Sequence, residues 1–158
     1  MPVLLEVTKV FTFDAAHRID EYVGKCHDLH GHTYRLELTV RGPRDRRGIV
    51  VDFLDLKAIF KEFYEAVLDH KFLNETLPTA NTTAENIAVW FFNYWERYVS
   101  PRYPHVWPER IRLWETPTSY VTLSRADWEA GKADGDAGWP PAEAARGAEA
   151  EGGPARCG

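Results

Sequence analysis

Tyr34-Arg35-Leu36-Glu37-Leu38-Thr39-Val40-Arg41 alternates large or branched apolar side chains with polar ones. Successive side chains of a strand point to opposite faces, so this run is a half-buried strand with Tyr34, Leu36, Leu38 and Val40 turned to a core. Upstream, Leu5, Val7, Phe11 and Phe13 keep the same even spacing and predict an antiparallel partner. Downstream, Gly42-Pro43 and the basic loop 44–48 interrupt the strand, which Ile49-Val50-Val51 is expected to resume. Asp52 is placed to cap a helix from about Leu54 to Leu68, with Leu56, Ile59, Phe60, Phe63 and Val67 on one face. The stretch from Asp69 to Asn81 reads as a connection. Thr82-Thr83-Ala84-Glu85 is a capping-box sequence, and Ile87, Ala88, Phe91, Phe92, Trp95 and Val99 mark a second helix that Pro101, Pro104 and Pro108 end. Ile111, Leu113 and Glu115 then alternate with arginines and Trp114, and Val121 and Leu123 follow across Thr116-Pro117-Thr118-Ser119, a second hairpin. The order ββααββ predicts an α+β fold, a four-stranded antiparallel sheet with both helices on one face. Its other face stays uncovered unless subunits associate.

The 158 residues, 44% hydrophobic and 13% aromatic, suffice for one core. A net charge of −5 gives no positive field for nucleic acid or anionic lipid. The longest apolar run, Ile87 to Phe92, is far short of the ~20 residues of a membrane span. Met1-Pro2-Val3-Leu4-Leu5-Glu6 has no basic segment and meets an acid at once, so no secretory signal is legible and a cytoplasmic location is expected. From Ala126 the composition turns to Ala, Gly, Pro and acids. That tail, 126–158, holds seven acids against three bases and is expected to be disordered, leaving 1–125 as the folded domain. The two cysteines, Cys26 and Cys157, are not expected to pair.

Five of the six histidines fall in three short places, and His105, in a proline-rich loop, reads as an ordinary surface residue. His30 and His32 lie two apart at the start of a strand, hence on one face, and His17 ends the partner strand where a hairpin brings it beside them. Three neutral imidazoles with an open fourth position suit catalytic zinc, and other divalent metals use the same ligands. A lone His-x-His occurs in many proteins without metal; His17 and Cys26 strengthen the case. Cys26 is either a fourth ligand or a thiol activated by a nearby cation, and its four-residue step to His30 favours the second; a buried inert cysteine is the plain alternative. Asp69 beside His70 can orient the ring for proton transfer, or His70 simply caps a helix C-terminus. Glu115, on the face of Ile111 and Leu113, either meets a ligand offering two N–H donors or lies at an edge in water.

Together Phe11-Thr12-Phe13-Asp14-Ala15-Ala16-His17, Cys26-x-x-x-His30-Gly31-His32, Val51-Asp52-Phe53, Leu68-Asp69-His70-x-x-Leu73-Asn74, Thr82-Thr83-Ala84-Glu85-Asn86 and Trp114-Glu115-Thr116 resemble the 6-pyruvoyltetrahydropterin synthase family. Within it they are most similar to the bacterial 6-carboxytetrahydropterin synthases of queuosine biosynthesis. The resemblance spans 1–125 and implies a tunnelling fold whose sheets join into a barrel, a homo-oligomer built as a hexamer of two trimers. It implies zinc on His17, His30 and His32, with Cys26 as base and Asp69 and His70 supplied to the site by a neighbouring subunit. Glu115 would hold the 2-amino-4-oxo edge of a pterin. The implied reaction is a carbon–carbon lyase step on 7,8-dihydroneopterin triphosphate, giving 6-carboxy-5,6,7,8-tetrahydropterin, acetaldehyde and triphosphate. The short step from Cys26 to His30 is that of the bacterial carboxy branch; animal-type pyruvoyl synthases place two more residues there, and a third branch replaces the cysteine by glutamate. His27 departs from the pattern. A pyruvoyl synthase, or a non-catalytic pterin- or metal-binding module, is the competing reading.

Overall fold

The computed structural model describes residues 1–20, 22–79 and 81–136. Strand β1 (Leu4–His17) pairs antiparallel with β2 (His30–Pro43) along its whole length, from Leu4 opposite Pro43 to His17 opposite His30. After the helices, β4 (Trp107–Thr116) pairs with β2 and β5 (Ser119–Ser124) pairs with β4, both antiparallel. These are the four strands the alternation predicts. A two-residue strand, β3 (Lys71–Phe72), is added in the connection after Asp69, parallel to β1 at Ala15 and Ala16, so the sheet order is β3-β1-β2-β4-β5.

One face of the sheet carries Phe11, Phe13, Tyr34, Leu36, Leu38, Ile111 and Leu113, all buried under the helices. The Asp52 carboxylate accepts from the Leu54 amide at 2.8 Å and starts α1 (Phe53–Ile59). The helix widens into a π-helical turn at Phe60–Glu65 and closes as α2 (Ala66–Leu68). Phe60 stacks on Phe11 with ring centroids 4.3 Å apart, and Tyr64 stacks on Phe91 at 4.2 Å while donating to its carbonyl. A short helix, α3 (Leu73–Thr76), precedes α4 (Ala84–Tyr94), which also ends in a π-helical turn at Trp95–Val99.

Two local expectations change. Ile49-Val50-Val51 forms no strand; Val50 and Val51 are buried in a bend instead, because the helix cap Asp52 follows at once and leaves no length to pair. Pro43 ends β2 just after Gly42, where a Cβ would lie 2.6 Å from the His105 carbonyl oxygen, a contact only glycine permits. The cap of α4 is Thr83, accepting from the Asn86 amide, while Thr82 is buried and faces elsewhere.

The folded chain also continues past 125. Ser124 caps α5 (Arg125–Ala133), Trp128 is only 5% exposed, and its indole N–H donates to Asn93 on α4 at 2.9 Å. One large aromatic residue, set against Phe92, anchors a segment whose composition otherwise predicts disorder. Residues 137–158, the rest of that tail with Cys157, lie outside the described residues. Among the described residues no helix is long and apolar enough to cross a membrane.

Candidate active site

Pairing of β1 with β2 places His17 opposite His30 and Ala15 opposite His32, so three imidazoles turn to the helix side at one end of the sheet. Their ligand nitrogens lie within 4.8 Å of one another. The ring orientations are set by backbone. His17 Nδ1 meets the Thr82 carbonyl oxygen at 2.8 Å, and His30 Nδ1 meets the Asp28 carbonyl oxygen at 2.7 Å. A carbonyl only accepts, so both Nδ1 atoms carry hydrogen and both Nε2 atoms present lone pairs when the rings are neutral. Those two Nε2 atoms face each other at 3.0 Å. Glu115 Oε1 approaches the same point, 3.2 Å from His17 Nε2 and 3.5 Å from His32 Nε2, and the latter nitrogen is buried without a hydrogen-bond partner. Lone pairs and a carboxylate converging so closely repel unless positive charge lies among them. The donor set therefore fits a divalent cation, with backbone carbonyls fixing the tautomers as outer-shell partners do.

The same crowding shifts the local ionisations. A doubly protonated His17 ring would donate its Nε2–H to Glu115 and hold that carboxyl below its ordinary value, against burial, which raises it. Burial lowers the His32 pKa, and Glu115 partly offsets it. Tyr34, buried beneath the histidines, is pushed far above the ordinary phenol value by burial first and Glu115 second.

Cys26 lies in a single 3-10 turn, Lys25–His27, partly exposed and without a disulfide. Asp69 and His70 group elsewhere, with Asp14: Asp69 Oδ1 accepts the Asp14 amide at 3.0 Å, Oδ2 lies 3.0 Å from His70 Nδ1, and the His70 amide donates to the Asp14 carbonyl. His70 adopts φ 55, the left-handed region that non-glycine residues enter only when neighbours impose it. The Asp14 amide is the main cause that holds the Asp69 carboxyl below its ordinary value.

Two clefts flank the start of β2. Pairing with β4 stops at Arg35 opposite Trp114, which leaves a cleft of about 590 Å³ bounded by His32, Thr33, Arg35, Trp114, Glu115 and Pro117. A second of about 590 Å³ is bounded by Asp14, Thr33, His70 and Lys71, and Gly31 and His32 line both. Of the residues singled out in the sequence, His17, His30, His32 and Glu115 meet in one place, while His70, with Asp69 behind it, borders the second cleft. The Thr82 carbonyl and the Tyr34 hydroxyl, 3.4 Å from His17 Nδ1, were not singled out: a backbone acceptor has no sequence signature, and Tyr34 reads as core.

The chain matches the 6-pyruvoyl tetrahydropterin synthase family over residues 6–126. It is similar to a 6-carboxy-5,6,7,8-tetrahydropterin synthase of Haemophilus influenzae, 37% identical, covering 74% of this chain and 96% of the relative. A 6-pyruvoyl tetrahydrobiopterin synthase of Poecilia reticulata is 34% identical over 73% of this chain and 86% of its own. The solved 6-pyruvoyl tetrahydropterin synthase of Caenorhabditis elegans superposes with a TM-score of 0.66 at 26% identity, covering 78% of this chain and 96% of that one. The fold, the histidine cluster at the end of its first hairpin and these matches agree: the chain belongs to the 6-pyruvoyl tetrahydropterin synthase family.

Proposed function

We propose that this protein converts 7,8-dihydroneopterin triphosphate and water to 6-carboxy-5,6,7,8-tetrahydropterin, acetaldehyde and triphosphate, with zinc held by His17, His30 and His32. The observation that carries the metal is the pair of backbone-oriented imidazoles whose Nε2 lone pairs face each other at 3.0 Å. Zinc bound there supplies Lewis acidity, polarising a substrate side-chain oxygen and stabilising the negative charge left when a carbon-bound proton departs. Glu115, at the border of its cleft, accepts from two N–H groups of the pterin edge and sets the ring's orientation. Cys26, as thiolate, takes and returns protons on one face of the side chain. Asp69 holds the His70 ring through its 3.0 Å contact, and His70 carries protons on the other face. Because His70 borders the second cleft, its partner in catalysis is the first cleft of another copy, as in the hexamer that the resemblance implies.

A pyruvoyl synthase is the second reading, favoured by the 34% identity to a relative of that name. The step of four from Cys26 to His30 supports the carboxy product. Incubation with 7,8-dihydroneopterin triphosphate, with products identified by mass spectrometry beside a chelated control, decides between them. A 6-carboxypterin with acetaldehyde, lost on chelation and restored by zinc, is expected. A 6-pyruvoyl product moves the protein to the other branch, and no turnover leaves a pterin- or metal-binding module.

A further inference from the structure

The segment after β1 continues the logic of a strand without a neighbouring strand on either side. The Arg18 amide donates to Asn74 Oδ1 at 3.0 Å, and Asn74 Nδ2 donates back to the Arg18 carbonyl at 2.9 Å. Two residues on, Asn81 repeats the pattern: the Asp20 amide donates to Asn81 Oδ1 at 3.1 Å, and Asn81 Nδ2 donates to the Asp20 carbonyl at 3.3 Å. The residue between them faces the other way, and the Ile19 amide donates to the Cys26 carbonyl at 2.9 Å. Alternation of this kind is that of a central strand in a ladder, with two side-chain carboxamides on one flank and the turn bearing the cysteine on the other. Only a carboxamide offers an acceptor and a donor side by side as a peptide group does; aspartate accepts but cannot return the bond.

Both asparagines are themselves fixed. Thr82 Oγ1 donates to Asn74 Oδ1 at 3.3 Å, and Asn86 Nδ2 on α4 donates to the Asn81 carbonyl at 2.9 Å. Thr82 also supplies the carbonyl that orients His17, so one framework braces a histidine of the cluster and the backbone beside Cys26.

We propose that Asn74 and Asn81 are positioning residues for the Cys26 thiol, acting through Arg18, Ile19 and Asp20; this rests on the reading of Cys26 as a base. Neither asparagine is a catalytic residue.

The test uses full-length protein with Cys157→Ala, so that Cys26 is the single thiol, in four further forms: Asn74→Asp, Asn81→Asp, Asn74→Ala and Asn81→Ala. Zinc per chain, thermal unfolding, kcat and KM on 7,8-dihydroneopterin triphosphate, and the pH profile of Cys26 alkylation by iodoacetamide are measured on each. The expected result is zinc kept at the parent's level, kcat lowered about 10- to 100-fold with KM within about threefold, and an altered alkylation profile. Aspartate forms, which keep the accepting half, fall between parent and alanine. Should an alanine form fail to fold, its near-isosteric aspartate form decides by the same measures. Parent-like kcat and alkylation in a folded variant overturn the proposal, as does loss of activity in step with loss of zinc, which would make the asparagines props of His17 instead. If the parent itself turns nothing over, the enzymatic reading fails separately, and an unchanged alkylation profile in the variants then overturns the positioning role on its own.

Discussion

Asp69 spends its two carboxylate oxygens on different tasks, one on the Asp14 amide and one on the His70 ring. The first of these is the main reason its carboxyl stays below the ordinary value. A group whose pKa is depressed by folding contributes stability that is present above its unfolded pKa, near 3.9 for aspartate, and is lost as the pH falls through the folded value. Urea midpoints of the parent and Asp69→Asn are thus expected to differ most near neutrality and to converge below about pH 3. A gap unchanged by acid would mean that the charge of Asp69 has no part in it. At this scale the histidines were legible because strand periodicity alone puts His30 and His32 on one face and a hairpin returns to His17. Asn74 and Asn81 were not assigned a role, since a carboxamide bonding to backbone twelve or more residues away looks in sequence like any loop asparagine.

Among the elements, α5 tests where the domain stops. Trp128 fills the angle between α4 and the sheet, with its N–H satisfied by Asn93, and Lys132 pairs with Glu96 at 2.7 Å. Replacing Trp128 by alanine removes a buried aromatic and is expected to cost about 3 kcal/mol in chemical unfolding. A loss under about 1 kcal/mol would return the helix to the loosely held tail that composition suggests. The main strands and both long helices were readable because each has a clean period of two or a continuous apolar face. The short β3 was not, because a two-residue pairing to Ala15 and Ala16 leaves no periodic trace. The π-helical turns were equally hidden: the apolar spacing through Phe60, Phe63 and Val67 suits an ordinary helix, whereas the wider turn buries Tyr64 and Leu68 and leaves Phe63 and Val67 only partly covered.

For the molecule as a whole, the separation of the two groups matters more than either alone. His17, His30 and His32 gather on the helix side, whereas Asp69 and His70 gather around Asp14. Among the described residues, β1 pairs with β3 only at Ala15 and Ala16 and has no other strand along that edge, and β5 ends the sheet on the other side. Open edges of this length are usually covered in the native state. If a working site draws Cys26 from one copy and His70 from another, two inactive proteins, Cys26→Ala and His70→Ala, regain activity when unfolded together and refolded. Random assembly is expected to restore roughly a quarter of the parent's turnover. No recovery in assembled mixtures would place all the chemistry within single chains.

The wide turn at Phe60–Glu65 makes the chain unusually forgiving of a shortened gene at one place. A π-turn holds about one residue more than an α-turn, so deleting the exposed Lys61 lets the turn tighten while Leu68 and Asp69 keep their azimuth. The same deletion at Lys57, inside α1, turns Ala58 and Ile59 by about 100° before that slack is reached, and takes the fully buried Ile59 out of the core. Of two single-codon deletions four residues apart, the first is expected to yield a folded protein of near-parent melting temperature and the second an insoluble one, as expression and thermal melting would reveal.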